Sequence, residues 1–112
     1  MVSYHNIGIV HNGELAEAGE LAHKLTNDYG DGRSWWLATQ SDLHEREAEL
    51  AESDLIVIIG GDGTILRGAH VAAARDIPIL GINMGRVGFM SDIEHKDAVD
   101  EIGWYLEGNA RI

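Results

Sequence analysis

The chain has 112 residues, 45% hydrophobic and 24% charged, a balance that fits one globular domain with one core and excludes collagen-like, disordered and membrane-spanning classes. Its net charge of −11, with only eight Lys and Arg, excludes a broad nucleic-acid footprint, because neutralising phosphates needs clustered basic side chains. Without cysteine there is no disulfide framework or thiolate zinc site, and the first residues carry no basic stretch of a secretory signal, so a cytoplasmic location is expected.

Asn6-Ile7-Gly8-Ile9-Val10 is a β-branched apolar run closed by the turn signal His11-Asn12-Gly13, and reads as a first strand. From Glu14 the period becomes helical. Leu15, Ala18, Ala22 and Leu25 fall on one face and Glu17, Glu20 and Lys24 on the other, until the glycine-rich stop Tyr29-Gly30-Asp31-Gly32. Residues 33–38, with Trp35 and Trp36, read as a second strand at a sheet edge. Ser41 is the expected N-cap of an acidic helix through Leu43, Glu47, Leu50 and Ala51.

Leu55-Ile56-Val57-Ile58-Ile59 is apolar without interruption, the pattern of a central parallel strand covered by helices on both faces. Gly60-Gly61-Asp62-Gly63-Thr64 ends it. Helical spacing resumes over 65–75, with Leu66, Ala69, Ala72 and Ala73 forming a small-residue face for close packing on the sheet. Residues 78–83 are a fourth strand with Pro78 at its first position. A glycine-punctuated loop over 84–90 follows, then a last helix burying Ala98, Ile102, Tyr105 and Leu106 and closed by Gly108-Asn109. Alternating strands and helices require right-handed crossovers. The expected fold is therefore α/β: a three-layer, doubly wound, Rossmann-like parallel sheet of about four strands with flanking helices, forming one domain over 1–112.

In such sheets ligands sit outside the carboxyl ends of the strands, where both glycine-rich loops fall. Gly60, Gly61 and Gly63 remove Cβ atoms that would keep a diphosphate from the backbone, and the following helix offers free N–H groups and a positive dipole end. Main chain thus replaces basic side chains. A carboxylate at Asp62 repels phosphate unless it takes a proton or binds a metal, so its presence points to chemistry: general-base attack of a hydroxyl on phosphorus, with Mg²⁺ neutralising the transferred group. Thr64 can cap the helix, orient Asp62 or touch a phosphate oxygen, and Arg67 can reach a phosphate from the same helix. The plainer alternative is a tight turn, which the helical spacing that follows disfavours. A Walker loop lacks its Gly-Lys-Ser/Thr ending, Gly-x-Gly-x-x-Gly does not follow the first strand, and His44-Glu45 lacks the second histidine of a zinc-protease motif. The histidines at 5, 11, 23, 70 and 95 show no metal-ligand spacing and are read as structural or surface residues, and no metal site is expected. Trp35, Trp36 and Trp104 are expected in the core or a subunit interface, and a homo-oligomer is the expected assembly.

Gly60-Gly61-Asp62-Gly63-Thr64 followed by Gly81-Ile82-Asn83-Met84-Gly85-Arg86-Val87-Gly88-Phe89-Met90-Ser91-Asp92 resembles the two N-terminal signature segments of bacterial NAD kinases. The first segment alone is shared with diacylglycerol and sphingosine kinases and, loosely, with phosphofructokinases; the second is particular to NAD kinases. Val87 stands where leucine is usual, and Met84 occupies a variable position. The resemblance implies transfer of the terminal phosphoryl group of ATP, or in some members polyphosphate, to the adenosine ribose 2′-hydroxyl of NAD, with a divalent cation such as Mg²⁺. It makes Asp62 the proton acceptor, places Gly63 beside the dinucleotide and puts Arg67 and Phe89 along the same site. Gly61, Thr64, Asn83 and Gly85 complete the expected NAD- and ATP-binding set. The family's remaining contacts come from a C-terminal β-rich domain that this sequence does not contain, so these 112 residues alone are expected to be inactive. Two rival readings are a lipid or diacylglycerol-type kinase domain, which needs an acyl cleft that no segment supplies, and a non-catalytic, flavodoxin-like nucleotide-binding module.

Overall fold

A computed structural model describes residues 4–85 and 91–110. Five parallel strands, β1 (Asn6–His11), β2 (Ser34–Thr39), β3 (Leu55–Gly60), β4 (Ile79–Asn83) and β5 (Ile93–Glu94), form one sheet in the order β2-β1-β3-β4-β5. The architecture is the expected doubly wound α/β sheet, with five strands rather than four. The additional strand, β5, is two residues long, too short to carry an alternation, and its Ile82↔Ile93 pairing with β4 defines it.

Helices α1 (Ala16–Asp28) and α4 (Ala98–Trp104) cover one face, and α2 (Glu47–Ala51) and α3 (Asp62–Ala73) the other. The β3 side chains alternate between the two cores. Leu55, Val57 and Ile59 pack with Ala18, Ala22 and Ile102, while Ile56 and Ile58 pack with Leu50, Ile65 and Ala72. Every β3 residue is buried, which explains its unbroken apolar run, and each fully buried isoleucine contributes about 1.5–3 kcal/mol.

Several local expectations shift. Leu15 is the residue before α1 and 39% exposed, so the buried face of α1 is Ala18, Ala22 and Leu25. Ser41 caps nothing: residues Leu43–Glu45 form a 3₁₀ turn before the five-residue α2, and neither start carries a side-chain cap. The packed face of α3 is Thr64, Ile65, Gly68 and Ala72 rather than one containing Leu66, Ala69 and Ala73. Gly68 sets that register, since a Cβ there would lie 2.7 Å from Ile58 Cδ1, and glycine is what brings helix and strand together. On α4 and its wider last turn Ala98, Ile102 and Leu106 are fully buried and Tyr105 half-buried, and Gly108 ends the turn at φ 102°. β2 is an edge strand as expected, with Trp35 packed against one core and Trp36 against the other. Trp104 belongs to neither core and is 63% exposed. Among the described residues no helix is long and apolar enough to cross a membrane.

Candidate functional site

β1 lies between β2 and β3, so the connections leaving β1 and β3 run to opposite faces and open a crevice between their carboxyl ends. Asn12 N–H donates to Ile59 O at 3.0 Å, joining the two ends, and Glu14 N–H donates to the Asn12 side chain at 3.0 Å, fixing the turn into α1. His11, the last β1 residue, sits against Gly19 of α1, with its Nδ1 buried and without a partner among the described residues. Burial holds its imidazole below the ordinary value of 6.5, and nearby His23 pushes the same way.

On the other side of the crevice β3 runs directly into α3. Gly61 is extended (φ −91°, ψ −174°) at the N-cap, and Asp62, half-buried, is the first helical residue. The helix therefore starts three residues earlier than its apolar spacing predicts, which puts Asp62 and Gly63 in its first turn, where backbone N–H groups have no intrahelical acceptor. A Cβ on Gly61 or Gly63 would meet no described atom within 4 Å, and neither residue has a positive φ. Nothing in the described fold requires glycine at either position. Gly60 is different: a Cβ there would lie 2.8 Å from Thr64 Cβ, so its glycine serves packing rather than ligand approach. Thr64 is 6% exposed and donates its hydroxyl to Gln40 Oε1 at 2.7 Å; it makes no helix cap. The side chain of Thr64 thereby anchors the start of α3 to the end of β2.

Asn83 ends β4 in register with Gly60 of β3 and Glu94 of β5. It is 3% exposed, and its Nδ2 has no acceptor among the described residues, a vacancy that costs about 1–3 kcal/mol for a buried donor. Gly85 follows at φ 120°, a backbone conformation that favours glycine. Gly81 and Asp92 exchange two bonds, Gly81 N–H to Asp92 Oδ2 at 2.9 Å and Asp92 N–H to Gly81 O at 2.8 Å, which pin both ends of the intervening loop. The acidic residue ending the second signature segment thus has a structural task.

The structure brings Gly61, Asp62, Gly63, Asn83 and Gly85 to one edge of the sheet. Arg67, exposed on α3, lines a cleft of about 370 Å³ with Gln40, His44 and Val71, between α3 and the segment that leads from β2 into α2. Phe89 lies outside the described residues. A second cleft at the carboxyl edge, about 420 Å³, is lined by Glu14, Leu15, Glu17, Met84, Gly85 and His95.

The sequence profile of the ATP-NAD kinase N-terminal domain matches residues 9–110, which span the crevice, the β3–α3 junction and the β4 loop together. The chain belongs to the ATP-NAD kinase family. It is 36% identical over 110 residues to an NAD kinase of Dehalococcoides mccartyi, a match covering 97% of this chain and 39% of that protein. It is 34% identical over 115 residues to the NAD kinase of Methanothermobacter thermautotrophicus (95% and 40% covered), and 30% identical over 122 residues to that of Heliobacterium modesticaldum (95% and 40%). The chain spans about two fifths of the length of these relatives.

Within this ATP-NAD kinase domain the structure also places Asn12, Glu14, Glu17, Gln40 and His95 near the same edge, residues that sequence reasoning read as turn, helix-surface or structural positions or left unassigned. The first three follow β1 and reach the site only because β1 pairs with β3, a fact of strand order. An Asn-Gly turn directly after the first strand was their one sequence signal. His95 Nδ1 lies 3.2 Å from Asn83 O, a contact across β5 that no local spacing announces.

Proposed function

We propose that the chain is the N-terminal α/β domain of an NAD kinase that works with a second, β-rich domain. The complete enzyme transfers the terminal phosphoryl group of ATP, or of polyphosphate, to the adenosine ribose 2′-hydroxyl of NAD, giving NADP. Family membership supports the reaction class. The observation that carries the site is the pairing at the start of α3 of a carboxylate, Asp62, with two glycines whose Cβ positions are open and unrequired by the described fold.

In this reading the first turn of α3 receives phosphate oxygens on its N–H groups, which the absent side chains of Gly61 and Gly63 let approach closely. Asp62 accepts the 2′-hydroxyl proton as that oxygen forms its bond to the terminal phosphorus and the bond to the ADP oxygen breaks. Asn83 and Gly85 form the adjoining edge, Thr64 holds the turn in place through Gln40, and Arg67 and Phe89 complete the ligand contacts once both domains are present. Among the described residues no group of three or more His, Asp or Glu side chains is placed to hold a metal. Mg²⁺ is proposed to arrive with the nucleotide, where it neutralises phosphate charge. NAD and ATP are the proposed partners, in a cytoplasmic homo-oligomer.

The test is NADP formation from NAD and Mg-ATP by the complete parent protein and by the 112 residues alone. The complete protein is expected to turn over and the fragment to show almost none, because positioning supplies much of the rate in phosphoryl transfer and half of the positioning groups are missing. No NADP from the complete protein would overturn the kinase reading. Comparable rates from both would overturn its two-domain form.

A further inference from the structure

The helix N-terminus of α3 has one neighbour whose chemistry the fold leaves unused. Asn83 is 3% exposed, yet its Nδ2 has no acceptor among the described residues. Buried amides are ordinarily paired, and an exception at a ligand edge is consistent with a water, ion or ligand completing it. Along β4, Leu80 and Ile82 face the α1 and α4 core, and Ile79 faces the α3 core. The two-residue period then places Asn83 on the α3 side, and its register partner is Gly60, the residue before the Gly61-Asp62-Gly63 turn. The main chain of Asn83 is fixed on every side, by β3, by β5 and by His95 Nδ1 at 3.2 Å from its carbonyl oxygen. A fixed main chain sets the position from which the side-chain amide can donate when an acceptor arrives.

We infer that Asn83 Nδ2 is a built-in hydrogen-bond donor to a non-bridging oxygen of the phosphate group seated on the first turn of α3, so that a side-chain amide completes a seat otherwise made of main chain. The inference rests on the phosphoryl-transfer reading for the identity of the anion. It adds a neutral donor where the sequence supplies few cations, and a carboxamide, unlike Lys or Arg, does not form an ion pair with Asp62 that would compete for the proton-accepting oxygen. Asn83 is thus a positioning residue: it orients the phosphate while Asp62 handles the proton.

The test uses the ¹⁵N-labelled 112-residue chain titrated with inorganic diphosphate in the presence of Mg²⁺, followed at the backbone amides of Gly61 and Gly63 and the side-chain amide of Asn83. All three are expected to move along one saturable curve. Asn83→Leu is expected to weaken diphosphate at least about tenfold without lowering the melting temperature, because it removes a ligand contact and a buried vacancy together. Static Asn83 resonances while Gly61 and Gly63 move, an unchanged diphosphate affinity in Asn83→Leu, or no movement at any of the three would overturn it. Should Asn83→Leu fail to fold, the wild-type titration decides alone. Loss of the inference with an NADP-forming parent enzyme leaves the kinase reading standing; saturable movement at all three positions in a protein whose complete form makes no NADP removes the kinase reading and keeps the seat.

Discussion

On the inner side of the β3–α3 junction, a Cβ on Gly60 would press on Thr64 and one on Gly68 on Ile58; on the outer side, a Cβ on Gly61 or Gly63 would touch no described atom. The inner pair is accounted for by packing alone. The outer pair is not: neither has a positive φ, and Gly63, in the first helical turn, is less favourable there than alanine by about 0.5–1 kcal/mol. A helix that gives up stability at Gly63, next to a carboxylate, makes physical sense when something outside the fold comes close to its backbone. The comparison separates glycines that build the domain from glycines that, on the proposed function, serve its ligand, although all four lie within nine residues of each other.

The sharpest way to press the comparison is through the residue between the two open glycines. In the complete enzyme Asp62→Asn is expected to lower the rate of NADP formation by roughly 10²- to 10⁴-fold, with NAD binding retained, because the amide keeps the shape and loses the proton acceptor. A near-normal rate measured in steady-state turnover would make Asp62 structural. The inner side should answer differently: Gly60→Ala is expected to lower stability by about 1–3 kcal/mol in chemical denaturation, through overpacking against Thr64.

The smallest expected effect lies across the crevice, at His11. Its folded-state pKa is held below 6.5 by burial, so the fold favours the neutral ring and the unfolded chain takes up the proton first as pH falls. The contribution of His11 is therefore intact above pH 6.5 and is lost progressively below it. His11→Gln should flatten the fall in melting temperature between about pH 7.5 and about pH 5.5; an unchanged slope would assign that fall to other groups.

The same two sides mark what could be read without coordinates. β3 was legible because five consecutive apolar residues admit little else, and the loop after it because a carboxylate among glycines is chemically odd. The start of α3 was misplaced by three residues: glycine and aspartate carry no apolar period, yet in a first turn their poor helix propensity matters less, as those N–H groups lack partners anyway. Gly68 was invisible for a related reason, since a residue without a side chain leaves no mark on a hydrophobic pattern while setting how closely helix and sheet approach. Ser41 looked like a cap, but Asp42 leads into a 3₁₀ turn instead. The placement of Asn12, Glu14 and His95 beside the site depends on which strands pair, and periodicity along one strand does not encode its neighbours.

The central claim, that the outer glycines exist for the ligand, is tested most directly by the melting temperature of Gly63→Ala in the complete enzyme, measured with and without NAD and Mg-ATP. The account predicts a melting temperature at or above wild type without ligand, from a gain on the order of 0.5 kcal/mol, and loss of most of the ligand-induced rise. A lowered melting temperature without ligand, or a ligand-induced rise equal to that of wild type, would contradict it.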